Sequence, residues 1–439
     1  MSSRFALIAS ALLLIAAAPY EPPHAGTRVV YRSASLIDGT GRGLQANMAV
    51  VTDGARINAV VPDSALTPAQ LHGAAQVNLA GEYLLPGYID SHQHLATPPD
   101  RPEAEARLRR DVYSGITATR DMADDIRQIA DITRAALVGE IPSPDISYVA
   151  LMAGPSFFDD PRTHAISQGA VGGHVPWAQA IDESTDMPLA IARGKGTYAT
   201  AIKIYANLPG NLVARITKEA HRQGLRAWAH GMVFPATPQQ VVDAGVDTVS
   251  HTCYLAYQAM AKRPDSYQHR FPIDAAPFIR DNPVMAKLYA DMVRRGTILD
   301  ATLHVYREVE HAAREQHKPP LCTVALAGKL TNQAYQAGVQ ISTGTDGDTP
   351  LGDPWPSLFD EFQLLHDAAG LPPMAVIEAA TLTGAKAMGA EKDMGSVVPG
   401  KLANMVVLSA NPLQDVRNLR SVVMTVKRGR IYRRSDYRR

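Results

Sequence analysis

Six residues spread widely along this chain could act together on one substrate: His92 and His94 in LLPGYIDSHQHL, Lys203 in TAIKIYA, His230 in RAWAHG, His251 in TVSHT and Asp346 in STGTDG. Each closes a short apolar run, where a buried parallel strand would end. Imidazole and carboxylate are ordinary ligands of a divalent ion. A site assembled from several strand ends is what a (β/α)8 barrel provides at its carboxyl-terminal mouth.

In His92-Gln93-His94 the two imidazoles point to one side, because a strand alternates with period two. Both can then reach one ion, and an anionic partner is expected to balance its charge. Lys203 stands in the apolar run TAIKIY, where an ammonium is expensive to bury. Either an acid pairs with it across the barrel, or its pKa falls until the amine is neutral. A neutral amine can add carbon dioxide to give a carbamate, an anion able to bridge two cations. His230 and His251 end consecutive strands and would sit side by side. Asp346 could bind a metal through one oxygen and take a proton from water through the other. Tyr205, two residues beyond the lysine, points the same way and is a candidate hydrogen-bond donor to substrate.

Strands and helices must alternate to place these residues. Eight runs read as strands, namely YLLPGYIDSH, GITATRDM, ISYVALMAG, TAIKIYA, RAWAHG, TVSHT, GTILDATL and VQISTGTD. Segments with helical spacing lie between them, such as AEARLRRDVYS, NLVARITKEAHRQG and KLTNQAYQAG. Such alternation implies a parallel sheet, and eight strands imply closure. The Gly- and Pro-rich stretches 154–197 and 254–283 would hang over the mouth, where Arg162, His164, Tyr254 and Tyr257 could meet substrate. Strand-like pieces at both ends, with Gly, Pro and Asn turns, predict one small β domain built from the two termini. The expected organisation is therefore residues 19–85 and 395–439 as a β-sandwich domain and 86–394 as the α/β barrel.

The balance of 43 basic and 43 acidic residues leaves no field that would draw nucleic acid or an anionic membrane, so a small-molecule substrate is expected. Arg4 precedes the apolar run Ala6–Ala18, a signal-peptide pattern over residues 1–18. The run is short of the roughly 20 residues a membrane span needs. Export to a bacterial periplasm, with no stable membrane association after processing, is the expectation. Cys253 and Cys322 are the only cysteines, and two free buried thiols are the simpler reading in the absence of geometry.

Taken in order, these residues resemble the amidohydrolase superfamily of metal-dependent hydrolases, and more narrowly its imidazolonepropionase-like and Xaa-Pro-dipeptidase-like members. The likeness includes the LPGYIDSHQH entry to the barrel, GITATRDM, and the closing AATLTGAKAMGAEKDMGSVVPGKLANMVVL. It implies two divalent ions, with zinc favoured by histidine-rich ligation. His92, His94 and Asp346 would hold one ion and His230 and His251 the other, with carboxylated Lys203 bridging them. The AVGGH segment ending at His174 matches a motif that, by the same resemblance, contacts the substrate carboxylate. Three departures are visible: His230-Gly231-Met232 lacks a following aromatic residue, Ser250-His251-Thr252 replaces EHG, and Asn404 stands where Asp is usual. Relatives of this kind often assemble, so a homo-oligomer is compatible with the sequence.

The implied reaction is cleavage of an amide bond in a dipeptide or N-acyl amino acid. Metal-activated hydroxide attacks the carbonyl carbon, while Asp346 takes the water proton and delivers it to the leaving nitrogen. The same site could serve a lactone, ester or phosphotriester, which need no strong leaving-group acid. A catalytically inactive periplasmic binding protein is the non-enzymatic alternative.

Overall fold

The computed structural model describes residues 27–439; the signal-peptide segment 1–18 lies outside the described residues. Eight parallel strands follow one another around a barrel: β1 (Tyr88–Gln93), β2 (Ile116–Asp121), β3 (Asp145–Ala153), β4 (Ala201–Ile204), β5 (Arg226–His230), β6 (Thr248–Ser250), β7 (Ile298–Asp300) and β8 (Ile341–Ser342). The last seam is narrow. Ser91 N donates to Thr343 O at 2.7 Å and Asp346 N to His92 O at 2.9 Å, joining the ends of β8 and β1.

The strands are buried on both faces, so their sequences read as nearly continuous apolar runs. On β4, Ile202 and Ile204 pack outward into the core shared with the helices, which leaves Ala201 and Lys203 to the barrel interior. β5 repeats this, with Ala227 and Ala229 outward and Trp228 and His230 inward. The helices supply the complementary stripe. Gly210–Arg222 buries Leu212, Val213, Ile216, Thr217 and Ala220, one face at 3.6-residue spacing. Pro283–Arg295 starts at an Asn282 cap that accepts from Val284 N at 2.9 Å and stops at Gly296 in the left-handed region, which delivers the chain into β7.

YLLPGYIDSH is divided between two sheets. Tyr83–Pro86 pairs antiparallel with Met405–Leu408 in a separate mixed sheet made from both termini, and the chain enters the barrel only after Gly87. A Cβ at Gly87 would collide with the Thr117 side chain, so the crossing depends on glycine. Asn404 works here: its carbonyl accepts from Gly87 N and its side-chain oxygen from Arg428 N at 2.8 Å. The sheet has its own core, including Tyr31, Leu36, Leu84, Met405 and Val426. It is tied to the barrel where Lys427 and Arg428 meet Asp145, each at 2.9 Å.

The expectation of free thiols is corrected. Cys253, in the one-turn helix after β6, is disulfide-bonded to Cys322, in the loop between helices Leu303–Glu315 and Val324–Gln336, with Cα atoms 6.4 Å apart. The cysteines are 69 residues apart in sequence. Only the side-by-side placement of the β6 and β7 units brings them together. No described helix is long and apolar enough to cross a membrane.

A crosslink across so long a loop restricts the unfolded chain. Cys322→Ser is expected to lower unfolding free energy by about 2–4 kcal/mol. Urea titration of wild type and variant, both without reductant, checks this; superimposable curves would refute it.

Candidate active site

The mouth of the barrel is built on buried charge. Asp300, at the end of β7 and fully buried, accepts from His92 Nδ1 at 2.8 Å, Ser250 Oγ at 2.9 Å and Arg120 Nη2 at 3.2 Å. Arg120 lies over the Trp228 ring at 4.4 Å and also donates to Ser91 O. Because the carboxylate can only accept, His92 carries its proton on Nδ1 and turns Nε2 toward the cavity. His94 is oriented in the same manner by Asp124, 3.1 Å from its Nδ1. Gly344 allows these parts to meet: a Cβ there would strike Asp300 Oδ1 and lie 2.9 Å from His92 Cβ.

Asp346 gathers three histidines. Its Oδ1 is 3.4 Å from His92 Nε2 and 3.5 Å from His94 Nε2, and its Oδ2 is 3.7 Å from His251 Nδ1. His251 and Asp346 both sit at positive φ, 74° and 48°, so the chain turns sharply at two strand ends to aim them inward. The His230 ring stands 4.8 Å from His251 and 4.2 Å from Tyr205. Lys203 Nζ and His230 Nδ1 are buried with no hydrogen-bond partner in the structure.

Electrostatics keep most of these groups ready to bind a cation. Burial pushes His251 down to about 3 and Lys203 down to about 7, and His230 falls well below its ordinary value through burial and the nearby lysine. Burial would raise the Asp346 carboxyl, but the three imidazoles outweigh it and hold it well below the usual carboxylate range. His94 is the exception: burial opposes its charge, yet hydrogen bonds to Asp124 and Asp346 raise it to about 10. The donor set fits a divalent ion. Ligand atoms of His92, His251 and Asp346 lie within 4.8 Å of one another, a trio drawn from both of the ligand groups expected from sequence. The orphaned amine and imidazole nitrogen add donors that need a partner.

Above them is a cavity of about 570 Å³, into which Arg162, Tyr254, Tyr257, Tyr267 and Arg270 from the expected loops project, along with Tyr205 at the end of β4. His174, the expected contact to a substrate carboxylate, is not among the residues lining it. GGH lies in a hairpin whose inner strand, Ala178–Ala180, adds to the end of β3. His174 pairs with Gln179, and directly opposed residues share a face. Gln179 Nε2 bonds Ala190 O on the outer helix Met187–Lys195, so His174 faces away from the mouth and is exposed. His164 is also exposed and outside the cavity lining. Sequence reasoning overlooked Asp300, Asp124, Arg120, Tyr267 and Arg270. A signal existed for Asp300, a carboxylate closing the apolar run GTILD.

A model of the amidohydrolase family matches residues 83–432. Among curated relatives, the imidazolonepropionase of Arthrobacter sp. (strain FB24) is 30% identical over 232 residues, covering 47% of this chain and 56% of that protein. A 5-methylthioadenosine/S-adenosylhomocysteine deaminase of Thermoanaerobacter pseudethanolicus is 27% identical over 126 residues, 26% of this chain and 29% of its own length. The chain thus spans about half the length, or less, of these relatives. In fold it is similar to a Xaa-Pro dipeptidase solved with bound methionine, with a TM-score of 0.69 and 20% identity over 93% of this chain and 100% of that one.

The raised His94 pKa has a thermodynamic consequence in metal-free protein. Its folded value, about 10, lies above the unfolded value near 6.5, so protonated His94 stabilises the fold fully below about pH 6.5, and this is lost as pH rises through about 10. The stability difference between metal-free wild type and His94→Gln is expected to shrink from pH 6 to pH 10. Denaturant titrations at several pH values measure it; a difference that grows with pH would contradict the assignment.

Proposed function

The chain belongs to the amidohydrolase family, and we propose that it is a metal-dependent hydrolase cleaving the carbon–nitrogen bond of a dipeptide or N-acyl amino acid. The observation that carries this reading is the convergence of His92, His94, His251 and Asp346, with partnerless Lys203 and His230 beside them, at the floor of one cavity. His92, His94 and Asp346 would hold one ion and His230 and His251 a second, with Lys203 as a carbamate between them; zinc suits this donor set. When bound, the ions supply a water acidified toward neutrality and withdraw charge from the substrate carbonyl oxygen.

The protein's own groups do the rest. Asp346 is ionised and faces the cavity, so it enters the reaction as a proton acceptor and returns the proton to the leaving nitrogen. Amides require that second transfer because an amide anion leaves poorly. Asp300 and Asp124 fix the two imidazoles of β1 and its following turn, so their cavity-facing nitrogens stay unprotonated when a cation is held. Tyr205, packed against Phe157 with ring centroids 4.5 Å apart, walls the site beside Lys203 and His230 and offers its hydroxyl to substrate.

We also propose export to the periplasm. The apolar run Ala6–Ala18 and the buried Cys253–Cys322 bridge both suit an oxidising compartment.

Two measurements test these readings. In a mass-spectrometric screen of zinc-loaded protein against dipeptides, N-acyl amino acids, lactones and aryl esters, amides are expected to be cleaved, with Asp346→Asn slower by about 10²–10⁴-fold. Turnover confined to lactones or esters would remove the amidase reading. Cell fractionation of the native host should find the protein in the periplasm with its leader removed; full-length protein in the cytoplasm would end the export proposal.

A further inference from the structure

Two guanidinium groups reach the cavity, and among the described residues only one of them forms an ion pair. Arg162 is clamped by Asp160, with Nε 2.9 Å from Oδ1 and Nη2 2.8 Å from Oδ2. Arg270 donates through Nε to Tyr267 O at 2.7 Å and through Nη1 to the Tyr254 hydroxyl, and its guanidinium carbon lies 3.5 Å from the Tyr267 ring centroid. Among the described residues, no carboxylate forms an ion pair with Arg270.

We propose that Arg270 is the residue that recognises a substrate carboxylate, making the preferred substrate an N-acyl amino acid with an apolar acyl group; this rests on the hydrolase reading above. A guanidinium carries five N–H donors and matches a carboxylate in a two-point contact. Here the peptide oxygen, the phenol and the stacked ring immobilise the group, so little side-chain freedom is lost on binding an anion. Tyr254 links it to the floor of the site, since its ring is 5.5 Å from His230 and 5.4 Å from His251. The cation is therefore one tyrosine away from the reacting end. That separation suits a carboxylate attached to the carbon beside the scissile nitrogen. Elsewhere the wall is apolar, with Ile273, Val305, Val309 and Leu321, and it offers an acyl chain a surface but no charge. His174 faces away from the cavity and leaves this role open.

The test measures binding, so it does not depend on turnover. The full chain is titrated by calorimetry with N-hexylsulfonyl-L-phenylalanine, whose sulfonamide replaces the scissile amide, and with its neutral carboxamide. Wild type is expected to bind the acid at least about 10-fold more tightly than the carboxamide, consistent with hydrogen bonds to a charged group. Arg270→Gln should lose about 10- to 100-fold in affinity for the acid while holding the carboxamide as before, which also shows that its pocket is folded. Arg270→Lys should keep part of the preference, and Arg162→Gln all of it. Equal binding of acid and carboxamide by wild type, a preference that survives Arg270→Gln or vanishes in Arg162→Gln, or failure to bind either ligand would overturn the proposal. A protein that hydrolyses no amide yet shows the Arg270-dependent preference would refute only the hydrolase reading.

Discussion

Everything at the barrel mouth depends on the buried carboxylate of Asp300. One oxygen receives an imidazole N–H from β1, a hydroxyl from β6 and a guanidinium from β2, so a single charge joins strands on both sides of the interior. Breaking such a cluster by removing one partner strands the others in a medium that solvates them poorly, at a cost of about 3–5 kcal/mol. The cluster also decides which nitrogen of His92 faces the cavity. Structural integrity and ligand geometry are thus carried by the same atoms.

Above that layer, desolvation sets the charge states. The imidazoles of His230 and His251 are held neutral, while the carboxyl among the histidines stays ionised. Burial keeps those two imidazoles unprotonated, and the histidines hold the carboxyl ionised against burial, which leaves an anionic oxygen beside neutral nitrogens for a cation. The loops contribute differently. Tyr254 stacks with Tyr257 and Tyr267 with His230, giving a stiff aromatic wall, and the Cys253–Cys322 bridge fastens the turn carrying His251 to the next unit of the barrel. The floor is governed by charge and the walls by packing.

The residues that a reader of the sequence can find are those at the ends of apolar runs. Lys203 is conspicuous because nothing else in TAIKIY is charged, and the histidines because each terminates a strand. Asp300 meets the same criterion, but its importance lies in partners from β1, β2 and β6 that the sequence does not show. Arg270 was hidden for a stronger reason. It sits in SYQHRFP, a polar loop with no periodicity, and its meaning comes from forming no ion pair with any described carboxylate.

His174 shows the limit from the other side. GGH matches a motif, yet the hairpin that carries it adds a strand to β3, and the pairing with Gln179 turns the imidazole toward the helices. The bridge between cysteines 69 residues apart was equally invisible. By itself the sequence determined the alternation of strands and helices, the closure they imply and the chemical types at the strand ends, because these follow from periodicities spanning a few residues. Only the tertiary structure decided which carboxylate orients which histidine, which guanidinium is left unanswered and which loop residue faces the cavity. Those outcomes depend on contacts between segments far apart in the chain, formed when the barrel closes and its interior is removed from water.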